Sequence, residues 1–213
     1  MRSAIVVMVM VSSVSSASAA ELVVRDARLG LDLLPLDFNY ELKDSTGTKS
    51  GQDVFGSHYG LLFGGRYSLA RIGESHGAVI GFDLGTTRAA YAPANGTISA
   101  YVVAGEGGYG WAVTDTLVVS AAARLGVGVA RASFDGTGSF ASYSPSGPVG
   151  EYGLRAGLAW AVTDQVILDG GLGWRSSVAR LTADDRDLAI DSSGLLVAFG
   201  LGWRFTSSPW RLE

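Results

Sequence analysis

A chain of 213 residues that is 47% hydrophobic, only 17% charged and holds 30 glycines carries too much glycine for a helical protein. It contains no cysteine, which excludes a disulfide framework, a thiolate metal site and a lipid anchor on cysteine. A net charge of -4 provides no basic footprint for nucleic acid.

The first segment, "MRSAIVVMVMVSSVSSASAA", accounts for part of the hydrophobicity. Arg2 precedes an apolar run from Ala4 to Val11, and a small-residue stretch closes on Ala17-Ser18-Ala19. These are the three regions of a secretory signal peptide, so 1–19 is expected to be removed, with cleavage after Ala19 or Ala20. An apolar core of about eight residues is too short to cross about 30 Å of hydrocarbon as a helix.

No later segment supplies about twenty consecutive apolar residues, so a helical membrane protein is excluded. The remaining chain alternates with period two, which predicts strands at about 26–42, 54–69, 76–91, 97–113, 116–133, 149–163, 165–181 and 189–205. In the fourth, Tyr101, Val103, Tyr109 and Trp111 share one face, opposite Ala100, Ala104, Glu106 and Gly108. In the fifth, Leu125, Val127 and Val129 oppose Arg124, Gly126 and Gly128. Such runs are long for a soluble sheet, whose strands usually stop near five or six residues, and suit tilted membrane strands of about 9–11 residues in hydrocarbon.

The connections fall into two sets. "WAVTD" occurs at 111–115 and again at 160–164, where Thr-Asp is expected to close a tight turn through the Asp side chain. The Trp before each turn sits where a strand leaves the apolar layer, a place that suits an indole with one wet edge. Tyr67 before "SLARIGES" and Trp203 in "LLVAFGLGWRF" take the same place. At the other rim, polar and Gly/Ser/Asp-rich loops are expected at 43–53, 92–96, 134–148 and 182–188. Short turns at one rim, longer loops at the other, an even strand count and aromatic girdles mark a bacterial outer-membrane barrel, closed because an open edge in lipid leaves backbone groups unpaired. Both mature termini are then expected in the periplasm.

On "YGWAVTDTLVV", "LAWAVTDQVIL" and the closing "AFGLGWRF", the chain resembles the small eight-stranded outer-membrane barrels of the OmpA/OmpX-like porin-fold superfamily over its whole mature length. The resemblance implies an all-β, eight-stranded antiparallel transmembrane up-and-down barrel over 20–205. It also implies a last strand recognised by outer-membrane assembly machinery. Here Phe205 is followed by "TSSPWRLE", so 206–213 is expected to form a short periplasmic tail. The superfamily includes adhesion and stability proteins, narrow channels and lipid-modifying enzymes, so the resemblance does not choose an activity.

The alternation turns Arg28, Asp32, Arg66, Asp83, Glu106, Arg124, Glu151, Arg155, Asp169, Arg175 and Arg204 into the barrel. Eight strands leave an interior just wide enough for side chains, and unpaired buried charges are costly, so these groups are expected to pair into a network that fills the lumen. The alternative is a polar channel whose charges select ions. The aromatic girdle is expected from Tyr67, Tyr101, Tyr109, Trp111, Trp160, Trp174, Trp203 and Phe205. Arg88, Arg131 and Arg180 share the outward parity near the outer ends of their strands, where an arginine can grip lipid phosphate through two parallel hydrogen bonds.

Catalytic chemistry finds little support. The histidines, His58 and His76, fall at opposite rims, whereas a nucleophile triad needs Ser, His and an acid within hydrogen-bond reach. His58 has Ser57, Ser139 or Ser142 as candidate neighbours but reads as a solvated rim histidine. No His/Cys cluster suggests a metal, and pieces such as "GTGS" lack the following helix of a phosphate loop, so no cofactor is expected. The sequence thus points to a monomeric, non-catalytic outer-membrane barrel acting in envelope integrity or surface interaction. Its expected partners are outer-membrane lipid, lipopolysaccharide and the assembly machinery. A narrow ion or small-solute channel is the alternative, and a lipid A-modifying enzyme a third reading.

Overall fold

The computed structural model describes residues 21–33, 36–54, 57–70, 76–91, 96–135, 142–184 and 186–204. The expected signal peptide, the tail 206–213 and Phe205 lie outside the described residues. The strands in chain order are β1 (Glu21–Leu33), β2 (Leu36–Asp44), β3 (Gly47–Val54), β4 (Ser57–Ala70), β5 (His76–Tyr91), β6 (Gly96–Ala112), β7 (Leu117–Phe134), β8 (Ser146–Ala161), β9 (Val166–Ala183) and β10 (Arg186–Arg204). Each pairs antiparallel with its neighbour, and β10 closes on β1.

The ten described segments make eight staves, because residues 34–35 and 55–56, within the first two staves, lie outside the described residues. The length of β10 pairs Arg204 to Val197 with Asp26 to Leu33 of β1, then Gly194 to Asp187 with Leu36 to Lys43 of β2, in one unbroken register. The second stave is divided in the same way into β3, paired with β2, and β4, paired with β1. The result is an eight-stranded antiparallel up-and-down barrel.

Two of the expected loops are strand instead. Residues 43–53 are mostly the ends of β2 and β3, joined through Ser45 and Thr46 alone, and 182–188 is the top of the β9–β10 hairpin. The sequence signal misleads there because a strand beyond the lipid needs no apolar outward face, so its polar composition resembles a loop while neighbouring strands still satisfy its backbone. Asp184 turns the second hairpin with φ of 53°, a conformation that Asp tolerates. In the expected loop 134–148, β7 reaches Phe134, β8 begins at Ser146, and Phe134 bridges to Tyr143; 136–141 lies outside the described residues. The loop 92–96 narrows to 92–95, also outside them.

The "WAVTD" turns are tight, but the threonine closes them rather than the aspartate. Thr114 Oγ1 accepts the Leu117 N–H at 3.0 Å, and Thr163 Oγ1 accepts the Val166 N–H at 3.0 Å.

Registers followed once round the ring run Leu29, Phe63, Leu84, Val103, Val127, Gly150, Val178, Asp191 and Asn39, so closure staggers the sheet from position 29 to position 39. With about 3.3 Å per residue and 4.8 Å between strands, this stagger tilts the strands by about 40° and sets a backbone radius of about 8 Å. Along each stave the outward positions are large and apolar: Val127 is 71% exposed, Leu195 67% and Leu172 66%. A belt of this kind is stable only against an apolar medium, so the barrel is a transmembrane one.

The β2–β3 turn stands clear of that belt. Asp44 Oδ1 accepts the Thr46 hydroxyl at 2.5 Å and the Thr46 N–H at 2.8 Å, and these bonds hold its carboxyl below the usual carboxylate range. A lowered folded-state value stabilises the turn above the unfolded Asp value and loses that contribution as pH falls through the folded one. In detergent micelles, the Thr46 amide proton shift should therefore stay constant down to about pH 4 and move only below it. The Asp44→Asn variant should lose this acid transition, whereas a transition persisting in that variant would show that the carboxylate is not the acceptor.

Candidate functional site

Because successive side chains alternate faces, every polar residue on the inward parity of the apolar staves meets the others in a lumen with no room for a second shell. Four guanidinium groups, of Arg28, Arg124, Arg155 and Arg175, meet the carboxylates of Asp32, Asp83, Glu106, Glu151 and Asp169 there. All but Glu106 are buried, and Glu106 is largely so. The side chains of Arg66 and Arg204, expected to join them, lie outside the described residues.

Arg28 is the hub. Its Nη2 lies 3.4 Å from Glu106 Oε2 and 3.8 Å from Asp83 Oδ2, and its Nη1 lies 3.6 Å from Asp169 Oδ1. Arg124 donates to Asp83 through Nη1 and places Nη2 3.7 Å from Glu151 Oε2. Arg155 donates to Asp169 through Nη2 and places Nη1 3.8 Å from Glu106 Oε1. Asp83, Glu106 and Asp169 thus each bridge two arginines, while Arg175 and Asp32 form a separate pair at 2.5 Å. Between pair and cluster remains a cavity of about 10 Å³, bounded by Asp32, Glu106, Arg124, Arg155 and Arg175, which has room for about one water and none for a hydrated ion.

Glycine makes this packing possible at one wall. A Cβ on Gly171 would meet Arg155 Nε at 2.4 Å and the Ala156 carbonyl oxygen at 2.9 Å, so only glycine leaves space for that guanidinium to reach Asp169.

Towards the rim opposite the "WAVTD" turns, the lumen changes character. Leu42, Ala130, Ala132, Tyr143, Val149, Leu181, Leu188 and Ile190 form one buried apolar cluster, a plug that the sequence reading did not foresee. Its signal was available: along the end of β7 the inward positions become Ala130 and Ala132 while Arg131 turns outward, an inversion of the alternation lower down. Tyr143 stacks on Phe134 at 6.0 Å between centroids and donates its hydroxyl to the Arg186 carbonyl at 3.4 Å. Burial pushes its phenol pKa up.

His76 Nδ1 lies 2.5 Å from the Tyr109 hydroxyl on the exposed outer surface, and the His58 side chain lies outside the described residues. Among the described residues no group of three or more His, Cys, Asp or Glu side chains is placed to hold a metal ion.

Of the expected girdle, Tyr101, Tyr109, Trp111, Trp160, Trp174 and Trp203 are exposed on the outer surface, and the Tyr67 side chain lies outside the described residues. Tyr109 meets Trp111 edge-on at 5.1 Å, and Tyr152 meets Trp174 edge-on at 5.5 Å. On the tilted lattice set by the registers, Trp111, Trp160 and Trp203 fall within about 3 Å of one level, with Arg88 about 26 Å and Arg131 about 32 Å above it. Arg180 differs from those two, since its Nη1 is 3.4 Å from Asp191 Oδ1 and donates to the Ala179 carbonyl at 3.2 Å.

No family model matches the chain, and no curated protein matches it in sequence. Among solved structures, Neisserial surface protein A is similar at 19% identity, with 84% of this chain covering 97% of that one at a TM-score of 0.44. The attachment invasion locus protein Ail of Yersinia pestis is similar at 18% identity over 85% of this chain and 99% of that one, with a TM-score of 0.38. The outer membrane protease OmpT from Escherichia coli is similar at 7% identity over 89% and 100%, with a TM-score of 0.43.

Removing one member of the buried cluster should be severe. Arg124→Ala leaves Asp83 and Glu151 buried without that partner, and urea unfolding in detergent should show a loss of about 3–5 kcal/mol. Replacing the pair together, as Arg124→Met with Asp83→Leu, should cost less than the single change, because Asp83 is then no longer stranded and only Glu151 still loses its arginine. A loss near zero for the single variant would mean that water replaces the guanidinium and that the lumen is wet.

Proposed function

We propose that the protein is a non-catalytic barrel of the bacterial outer membrane that acts in envelope integrity or surface interaction, with its short turns and both termini on the periplasmic side. The observation that supports this reading is the packing of the described lumen residues. Among the described residues, a charged layer enclosing a cavity of about 10 Å³ is followed along the axis by an apolar cluster containing Ala132, Leu181 and Ile190, so two layers of unlike chemistry lie on the same path. An ion crossing this barrel would have to break paired arginines and then shed its water against alanine and leucine.

What the barrel offers is its outside. Beyond the belt, β9, β10, β2 and β3 continue as a four-stranded wall, and their outward face forms a groove of about 790 Å³. Asn39, Glu41, Lys43, Gln52, Arg180, Asp187 and Asp191 line it, a polar surface suited to contacts in water rather than in lipid.

Conductance discriminates this reading from a narrow channel. Refolded protein in planar bilayers should give no unitary current steps, and reproducible steps that change with Arg155→Ala would establish a charge-lined pore in its place. Orientation is tested separately on whole cells. A cysteine introduced at Ser45 should react with an impermeant maleimide and one at Asp164 should not; the reverse pattern would invert the barrel. Expressing cells should show no acyl loss from lipid A by mass spectrometry.

A further inference from the structure

We infer that Arg88 and Arg131 form a two-armed receptor for the phosphate monoester of a membrane lipid, on the side of the barrel away from the polar groove. The inference rests on the membrane reading above and assigns that surface a ligand. Arg88 of β5 and Arg131 of β7 both stand directly opposite Ser99 of β6, so the two arginines flank one serine in a single row across the sheet. Two strand spacings separate their Cα atoms by about 9.6 Å, a span that two arginine side chains can close over the serine between them. Each guanidinium presents a planar fork that binds a phosphate through two parallel hydrogen bonds.

The surroundings favour an anion. Around this row the outward positions carry hydroxyls, with Thr97 and Ser133 on the rim side and Tyr101 on the belt side. None of them is a carboxylate; the next on this face, Asp135, lies four residues beyond Arg131, about 13 Å along the strand. Neither Arg88 nor Arg131 has an ion pair or hydrogen bond among the described residues, and both are exposed. Arg180, equally outward, already has Asp191 as its counter-ion. Height selects a lipid over a soluble anion. The row borders the apolar belt, with Val129 and Tyr101 exposed immediately below it, at about the hydrocarbon thickness from the tryptophan level. A phosphate held there by an acyl-chained molecule lets its tails lie along the belt.

The test uses the full barrel folded into phosphatidylcholine vesicles, with and without about 10 mol % lipid A, whose headgroup carries phosphate monoesters, and reads the thermal unfolding midpoint. Wild type should gain at least about 3 °C from lipid A and nothing from millimolar inorganic phosphate in plain vesicles. Arg88→Gln with Arg131→Gln should lose most of that gain, each single variant should lose part, and the double lysine variant should recover only part because lysine lacks the fork. Arg180→Gln should keep the full gain.

A double glutamine variant that gains as much as wild type overturns the receptor. So does an equal loss in Arg180→Gln, which would mark a general charge effect, or an equal gain from inorganic phosphate, which would mark a soluble-anion site. A wild type that inserts, becomes protease-resistant and shows no gain overturns the receptor alone. One that does not insert overturns the membrane reading and the receptor with it.

Discussion

The structure depends on one constraint: inside hydrocarbon no water can take over an unpaired backbone N–H or C=O, so the sheet has to close on itself. Closure is achieved by β10, which pairs with β9 on one side and with β1 and then β2 on the other. The first stave keeps a single register against β10 from Asp26 to Leu33 and again from Leu36 to Lys43. The stagger accumulated round the ring then fixes tilt and radius, and an eight-stranded ring of that radius admits side chains and little else.

A lumen that narrow turns electrostatics into packing. Arg28 touches carboxylates from β5, β6 and β9 because those strands pass within one side-chain length of it across the barrel. Each charge is held by partners on other staves, so the network ties together strands that share no backbone ladder. Space is as limiting as charge: glycine at 171 suits the place where Arg155 lies against the wall, since a methyl group there would come within 2.4 Å of that guanidinium's Nε. Such a cluster contributes less to net stability than its number of ion pairs suggests, since desolvation offsets most of the attraction, but it strongly penalises the loss of any one member.

The two halves of the lumen follow a single rule read against two media. Where lipid surrounds the barrel, the outward positions are Leu125, Val127 and Val129 and the inward ones carry Arg124 and glycine. Where the same staves leave the lipid, Arg131 faces out and Ala130 and Ala132 face in, as in a water-soluble sheet. The charged layer and the apolar plug are therefore consequences of where the lipid ends. The wall built by β9, β10, β2 and β3 continues this soluble pattern, which gives the barrel a surface in water beyond the lipid.

The sequence by itself determined the fold class and the inside of the barrel, because strand periodicity is two and each residue's face follows from counting. Nine inward charges, from Arg28 on β1 to Arg175 on β9, were legible that way. The threonine-closed turns were legible as turns but not in which side chain closes them, since Thr and Asp both bond backbone at that spacing. Loop and strand could not be told apart in 43–53 and 182–188, because beyond the lipid a polar strand and a polar loop have the same composition. Only the tertiary structure decided those, through neighbours that satisfy the backbone. It alone also decided which arginine meets which acid, that Arg180 is matched to Asp191, and that Arg88 and Arg131 both stand opposite Ser99. Those relations are set by register between strands, and register arises from closure of the ring rather than from any local stretch of residues.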